Sequence, residues 1–460
     1  MPTTLTGTGR RILRCGGNGA NVQSLEEVIQ MAMKLPAGKK IVFTDWENVG
    51  AGYGVAWAGK AGPVPEMMPS GIDIRVFQPH YTGAPAVVAE QAWETGSINC
   101  YATWFEDAGR FRLYYTVYTD DTKGVCRGML CYAESEDGYT WTKPALGLAE
   151  FDGSTRNNIL LTDDKTHGRG GLGGHVFIDP TADPQQRYRM LAGSSDERSQ
   201  FIFAGHSADG TAWTMAEDVL MRHPADTQTV VFYDEVAQRY QGYFRGRAND
   251  WESHGRRSIC HAQTQDFHDW PTPQSCMITD ANDPPGTDIY TAPAMPWPGA
   301  INAYVMFPAF YPRTADIMET HLAVSRDGRI WHRPQRAAWL PAGDPDTGHY
   351  AIMVAGHGII SPEPGVWAIP VSGDGKTHNQ GFYRRTSGAL RRWNMPPSVR
   401  TASWQSRRRP KVSSGPCRWS SRASGSRSMP GRTSAARCAS RSVTRLARRL
   451  SGTHSPTVSR

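Results

Sequence analysis

Four copies of one short turn motif constrain this chain more than any other feature. Ser135-Glu-Asp137-Gly138-Tyr-Thr-Trp141 recurs as Ser207-Ala-Asp209-Gly210-Thr-Ala-Trp213 and as Ser325-Arg-Asp327-Gly328-Arg-Ile-Trp331. Thr264-Gln-Asp266-Phe267-His-Asp-Trp270 is a looser copy, and successive copies start 72, 57 and 61 residues apart. A period of this size belongs to blades or solenoid units. The motif has a local physical role. Ser and Asp oxygens accept hydrogen bonds from backbone N–H groups of the turn, Gly permits a positive φ, and Trp is placed to pack between sheets. A structural turn is therefore expected, with no catalytic part for these aspartates.

Upstream of the turn the units share a second pattern. Tyr101–Asp107 precedes Arg110-Phe111, Val176–Asp179 precedes Arg187-Tyr188, and Val230–Asp234 precedes Arg239-Tyr240. Each reads as an apolar strand, an acidic turn and a strand opening with Arg-aromatic. Two such strands form a hairpin, and the Ser-x-Asp-Gly turn adds two more. Four antiparallel strands per unit make a propeller blade. The expected fold is all-β: a five-bladed β-propeller with units near 98–145, 174–216, 228–274, 289–334 and 350–390. The fifth is degenerate around Gly356-His357-Gly358 and Val366-Trp367. Domains are expected at 1–90 (an N-terminal extension), 91–390 (the propeller) and 391–460 (a tail). In the extension, Ser24 and Glu27 form a capping box before an amphipathic helix.

Charge separates the tail from the rest. Residues 391–460 hold 16 Arg, 1 Lys, 16 Ser and no acid, whereas the first 390 carry 33 basic and 43 acidic side chains. The formal net charge of +7 thus averages a mildly acidic body with a strongly basic tail. Arg, Ser, Pro, Ala and Gly without acids are also what a GC-rich gene yields when read out of frame. That reading is preferred here over a disordered nucleic-acid-binding arm, for which stacking aromatics are sparse. Nucleic acid is a partner only if the tail is genuine. No run reaches the roughly 18–20 apolar residues of a membrane span, and no apolar segment follows the basic N-terminal residues. The expectation is a cytoplasmic protein without a membrane partner. The eight cysteines form no C-x-x-C pair, so zinc-ribbon and thioredoxin chemistry have no support.

The stretch Cys131–Leu160, with Asn157-Asn158-Ile159-Leu160 at its end, resembles bacterial glycosyl-hydrolase-like five-bladed propellers of uncharacterised function. Asp288-Ile-Tyr290-Thr291 and the Ser325–Trp331 turn carry the same resemblance. These proteins are similar to the β-fructosidase and arabinanase superfamily, glycosyl hydrolase families 32 and 43. The resemblance covers residues 91–390. It implies a carbohydrate-active hydrolase and, in many relatives, a β-sandwich after the propeller. The superfamily's Asn-Asp-Pro, Arg-Asp-Pro and Glu-Cys motifs are not intact; Ile178-Asp179-Pro180 has Ile in place of Arg.

Propellers bind ligands where the innermost strands begin, so candidates precede each unit's first strand. Carboxylates are required in pairs for glycoside hydrolysis. Asp226, Asp288 and Glu94 occupy such positions, and Glu252 lies in a loop after Arg245 and Arg247. These four are the expected catalytic residues. His175, Gln228, Arg245, Arg247, Tyr290 and His349 are the expected substrate ligands, the arginines suiting an acidic sugar. No cofactor and no metal is expected, since the histidines show no ligand spacing; His175 and His349 on the axis are the best metal alternative. The partner is an oligo- or polysaccharide. The functional expectation is a glycoside hydrolase with acid/base carboxylates at the central funnel. The alternative is a non-catalytic glycan-binding propeller. Resequencing the coding DNA across residues 391–460 checks the frame: a shifted frame is expected, and an unbroken one discards that reading.

Overall fold

The computed structural model describes residues 39–40, 42, 76–94, 97–120, 126–162, 172–248, 255–343, 351–379 and 398–405. They hold no α-helix, only strands and two short 3-10 turns at Ala92–Glu94 and Pro184–Gln186. The expected helix near Ser24 and most of the basic tail lie outside the described residues.

Five antiparallel blades follow one another along the chain, and the first four each start with their innermost strand. Blade I uses Ser97–Asp107, Arg110–Asp120, Cys126–Ser135 and Ile159–Leu161. Blade II uses Leu172–Ile178, Tyr188–Ser195, Gln200–Ser207 and Thr214–Met221. Blade III uses Val230–Asp234, Arg239–Arg247, Arg257–Thr264 and Gln274–Met277. Blade IV is broken by prolines into two three-stranded sheets. Its first two strands run as Thr287–Thr291 with Ala294–Pro296, and Tyr304–Met306 with Ala309–Pro312; its third runs as Glu319–Thr320 with Ala323–Ser325. The sequence therefore gives an all-β five-bladed propeller, as its repeat implies.

Blade V departs from the expected limits. Its order is His80–Val88, Ser398–Gln405, Val366–Asp374, Ile352–Ala355. One strand thus comes from before residue 91 and one from beyond residue 390. Neither carries the repeat signature, so neither was visible as part of a blade. Segment 391–460 accordingly contains one strand of the propeller.

The turn motif behaves as its chemistry dictates. Ser135 Oγ accepts from Gly138 N at 2.8 Å, Asp137 Oδ1 accepts from Tyr139 N and Thr140 N, and Trp141 Nε1 donates to Gly138 O. The Ser and Asp bonds recur from Ser207 and from Ser325, and Trp331 Nε1 donates to Gly328 O, whereas Trp213 Nε1 has no hydrogen-bond partner among the described residues. Gly210 has a further reason: φ is +82° and a Cβ would stand 2.6 Å from the Tyr114 hydroxyl of the preceding blade. That hydroxyl donates to Gly210 O at 3.0 Å, and Tyr243 does the same to Gly328 O at 2.6 Å.

A second repeated contact joins successive blades. The inner strand of blade I ends at Asp107, which accepts the Tyr188 hydroxyl of blade II. Asp179 at the end of blade II accepts Tyr240 of blade III at 2.8 Å, and Asp234 accepts Tyr304 of blade IV. All three aspartates are buried. In the Arg-aromatic signature the aromatic is the donor of this bond at Tyr188 and Tyr240.

Between blades V and I there is a backbone contact instead. Trp104 N donates to His357 O at 3.0 Å, and His357 N donates to Ala102 O at 2.8 Å. Gly358 permits it, with φ +109° and only 2.0 Å between a built Cβ and Trp104 O. Losing the hydroxyl in Tyr240→Phe should destabilise the protein by about 1–3 kcal/mol, because the buried Asp179 loses a donor. Denaturant unfolding should show this beside Tyr233→Phe, whose hydroxyl reaches Gln238 at 3.4 Å and whose change should stay within about 0.5 kcal/mol.

Candidate functional site

The axis of the ring is filled. Gln228 Nε2 donates to Thr103 Oγ1 at 3.1 Å, Thr103 Oγ1 donates to His175 Nδ1 at 3.1 Å, and His175 Nε2 donates to Val231 O at 2.8 Å. The carbonyl only accepts, which fixes the direction of the whole relay through blades III, I and II. Burial pushes His175 down to about 4, so its imidazole is neutral at pH 7. His357 stands edge-on to it, ring centroids 4.5 Å apart, and donates through Nε2 to Ala294 O. Burial holds His357 well below the usual histidine range.

These bonds correct two expectations. His175 and Gln228 are buried, with both ring nitrogens of His175 and the Gln228 Nε2 amide engaged by protein, which leaves them no exposed edge for a sugar. Both ring nitrogens of His175 are used, which removes it as a metal ligand. Among the described residues no group of three His, Cys, Asp or Glu side chains is placed to hold a metal ion. His349 and Glu252 lie outside the described residues.

Glu94 also departs from expectation. It sits in the 3-10 turn before blade I, fully buried. Its Oε2 accepts from Glu90 N, Gln91 N and Lys143 Nζ, and its Oε1 accepts from the Tyr115 hydroxyl at 2.8 Å. Lys143 at 2.7 Å also donates to Val88 O, so the carboxylate ties blade I to the outer strand of blade V. Its oxygens are engaged by these internal donors.

Asp288 and Asp226 share one face, where the inner strands begin. Asp288 has a fully buried side chain and accepts from Arg257 N, Arg257 Nη1, Arg313 Nε and Arg313 Nη2, all within 2.9 Å. Burial alone would raise its pKa, but the hydrogen bonds from Arg313 and Arg257 and the Arg257 charge outweigh it and hold the carboxyl below the usual range. A carboxylate so held cannot serve as a proton donor, and its lone pairs are occupied. Asp288 positions two arginines on this face.

Asp226 keeps an open edge, with 29% of its side chain exposed. It is 3.1 Å from Arg245 Nε and 3.5 Å from Arg247 Nη2. Tyr101 of blade I donates to the Asp226 carbonyl at 3.3 Å, and Thr227 Oγ1 donates to Tyr290 O. The Arg245 guanidinium is fully buried, and its Nη atoms have no hydrogen-bond partner. Tyr290 links the two halves: Arg245 and Arg257 stand over its ring at 4.7 and 5.0 Å. Tyr311 and His378 meet its ring edge to face, and His378 Nε2 is 3.1 Å from its hydroxyl. The ring is engaged by protein, so Tyr290 acts as a hub more than as a stacking platform for sugar.

Four contributors to this face escaped sequence reasoning: Arg257, Arg313, His378 and Asp374. Arg257 and Arg313 open or follow strands, a position that only the register makes meaningful. Asp374 ends the second strand of blade V and pairs with Ile352, the first residue of its inner strand. Burial pushes its carboxyl up, ahead of the opposing bonds and charge from Lys376 and Gly375.

The opposite end of the inner strands is unlike this face. It holds an apolar pocket of about 230 Å³ lined by Trp104, Phe105, Phe177, Met295 and Ile359, with no carboxylate.

No protein-family model matches the chain, and no curated protein matches it. Solved structures do. A glycoside hydrolase superposes with a TM-score of 0.50 at 14% identity, over 71% of this chain and 92% of that one. A β-1,2-mannobiose phosphorylase from Listeria innocua gives 0.48 at 10% identity, over 71% and 96%. A structure described with the GH130 family of mannoside phosphorylases and glycoside hydrolases gives 0.49 at 12%, over 74% and 96%.

Asp288→Asn should lower thermal stability outright, since it strands two guanidiniums; breaking such a buried pair costs about 3–5 kcal/mol. A thermal melt checks this, and Asp226→Asn should lower the melting temperature as well, because it leaves the fully buried Arg245 guanidinium without its counter-charge. The likeness to the glycoside hydrolase shows that the chain shares the fold of that structure.

Proposed function

We propose that the protein is a carbohydrate-active glycoside hydrolase working on the face where the inner strands begin. Asp226 is the carboxylate presented to substrate and Asp374 the proton donor. The observation that carries this is the open edge of Asp226. Of the described carboxylates expected from sequence, it is the one that reaches solvent, and groups from blades I, III and IV surround it. Glycoside hydrolysis needs a second carboxyl that holds a proton near neutral pH. Asp374, at the same end of blade V, has its carboxyl pushed up by burial, the direction a proton donor requires.

One observation favours a second reading, a glycan-binding propeller without turnover: Glu94 and Asp288 are saturated by internal donors. Reducing-sugar release by the full chain across a glycan panel separates the two. Release is expected from the native protein. Asp226→Asn and Asp374→Asn should each lower it about a hundredfold or more while binding persists. The native rate should fall as pH rises and Asp374 loses its proton, with the fall beginning above the ordinary carboxyl range. Undiminished release by Asp226→Asn moves the chemistry elsewhere. Binding without any release supports the second reading.

A further inference from the structure

Four guanidiniums meet only two carboxylates on the substrate face. Arg245 and Arg247 flank Asp226, and Arg257 and Arg313 flank Asp288. The two pairs form one electrostatic unit, because Arg245 and Arg257 share the Tyr290 ring and Asp226 also acts on Arg257 through space. The neighbouring Asp316, whose oxygens accept from Tyr311 and Asn379, adds one further carboxylate. With Asp316 counted, and Asp374 in the protonated form proposed above, the four arginines still exceed the carboxylates by one.

Part of this charge is within reach of a ligand. Arg247 is 42% exposed and Arg313 37%, while Arg257 is 21% exposed. Arg247 touches Asp226 through one nitrogen at 3.5 Å, which leaves the rest of its fork uncommitted. Arg313 spends Nε and Nη2 on Asp288 and keeps Nη1. Planar forks fixed from behind by carboxylates suit a planar anion that accepts two parallel hydrogen bonds. Beneath them the Nη atoms of Arg245 lack partners, so positive charge there is under-compensated.

The geometry points to a carboxylate subsite: the sugar bound at this face carries a uronic acid residue, whose carboxylate docks on Arg247 with Arg257 and Arg313 behind it. This rests on the carbohydrate reading above and specifies its substrate class.

The test is calorimetric binding of the full chain to trimers of galacturonic and glucuronic acid, each beside its methyl ester. The ester keeps the sugar skeleton and removes the charge. At least one acid should bind about tenfold or more tighter than its ester, and raised salt should erode the difference. Arg247→Gln should abolish the preference. Its fold is not at stake, because the Arg245–Asp226 pair remains, and a thermal melt verifies that. Equal affinity for acid and ester in both series, or a preference unchanged in Arg247→Gln, overturns the proposal. Inorganic phosphate binding more tightly than every uronate overturns it too, and assigns the fork to a free oxyanion. The two readings fail separately. Release from neutral glycans with no acid preference discards the uronate subsite alone. Acid-selective binding without release keeps the subsite and discards turnover.

Discussion

The ring depends on a buried bond between a carboxylate and a phenol. Where an inner strand ends in Asp107, Asp179 or Asp234, the next blade supplies Tyr188, Tyr240 or Tyr304 to donate to it. Burying an aspartate is costly unless donors surround it. The sheets must therefore sit at the one spacing and angle that bring the hydroxyl into place. Apolar packing between blades is strong but not directional. The Asp–Tyr bond adds the direction, and its repetition at three successive interfaces sets the turn from blade to blade. The Tyr114 and Tyr243 contacts with the next blade's glycine turn constrain the same interfaces farther from the axis.

Fixing the inner strands this closely decides where function can lie. The axis is packed with the Gln228–Thr103–His175 relay and His357. The two ends of the inner strands are thereby separated. One gathers arginines, aspartates, tyrosines and His378; the other is a small apolar pocket. The charged end can hold polar substrates because its guanidiniums are already aimed by Asp288 and Asp226, so little reorganisation accompanies binding.

The blade repeat was legible because a turn is a local object. Ser, Asp and Gly within four residues specify their own hydrogen bonds wherever the chain goes. The candidate site was legible only as a set of positions. Glu94, Asp226 and Asp288 all precede or open inner strands, as the sequence suggests, yet their environments have little in common. Glu94 is claimed by Lys143 and Tyr115, Asp288 by arginines from two other strands, and Asp226 alone keeps an edge in solvent. Those partners come from 21 to 49 residues away, and no spacing rule connects them. The limits of blade V were hidden for a related reason. His80–Val88 and Ser398–Gln405 are strands only by virtue of each other and of Val366–Asp374.

That arrangement makes the last blade a latch. Among the described strands, the last in the chain lies between the first and the rest of the sheet. Removing Ser398–Gln405 by proteolysis or deletion would cost its own place in the sheet and also release His80–Val88, which pairs with it from one side. The wheel would then have a single gap at blade V, with its first four sectors still clasped. The ring is in this sense one continuous belt with its buckle made from both ends, and the buckle is where it first comes undone.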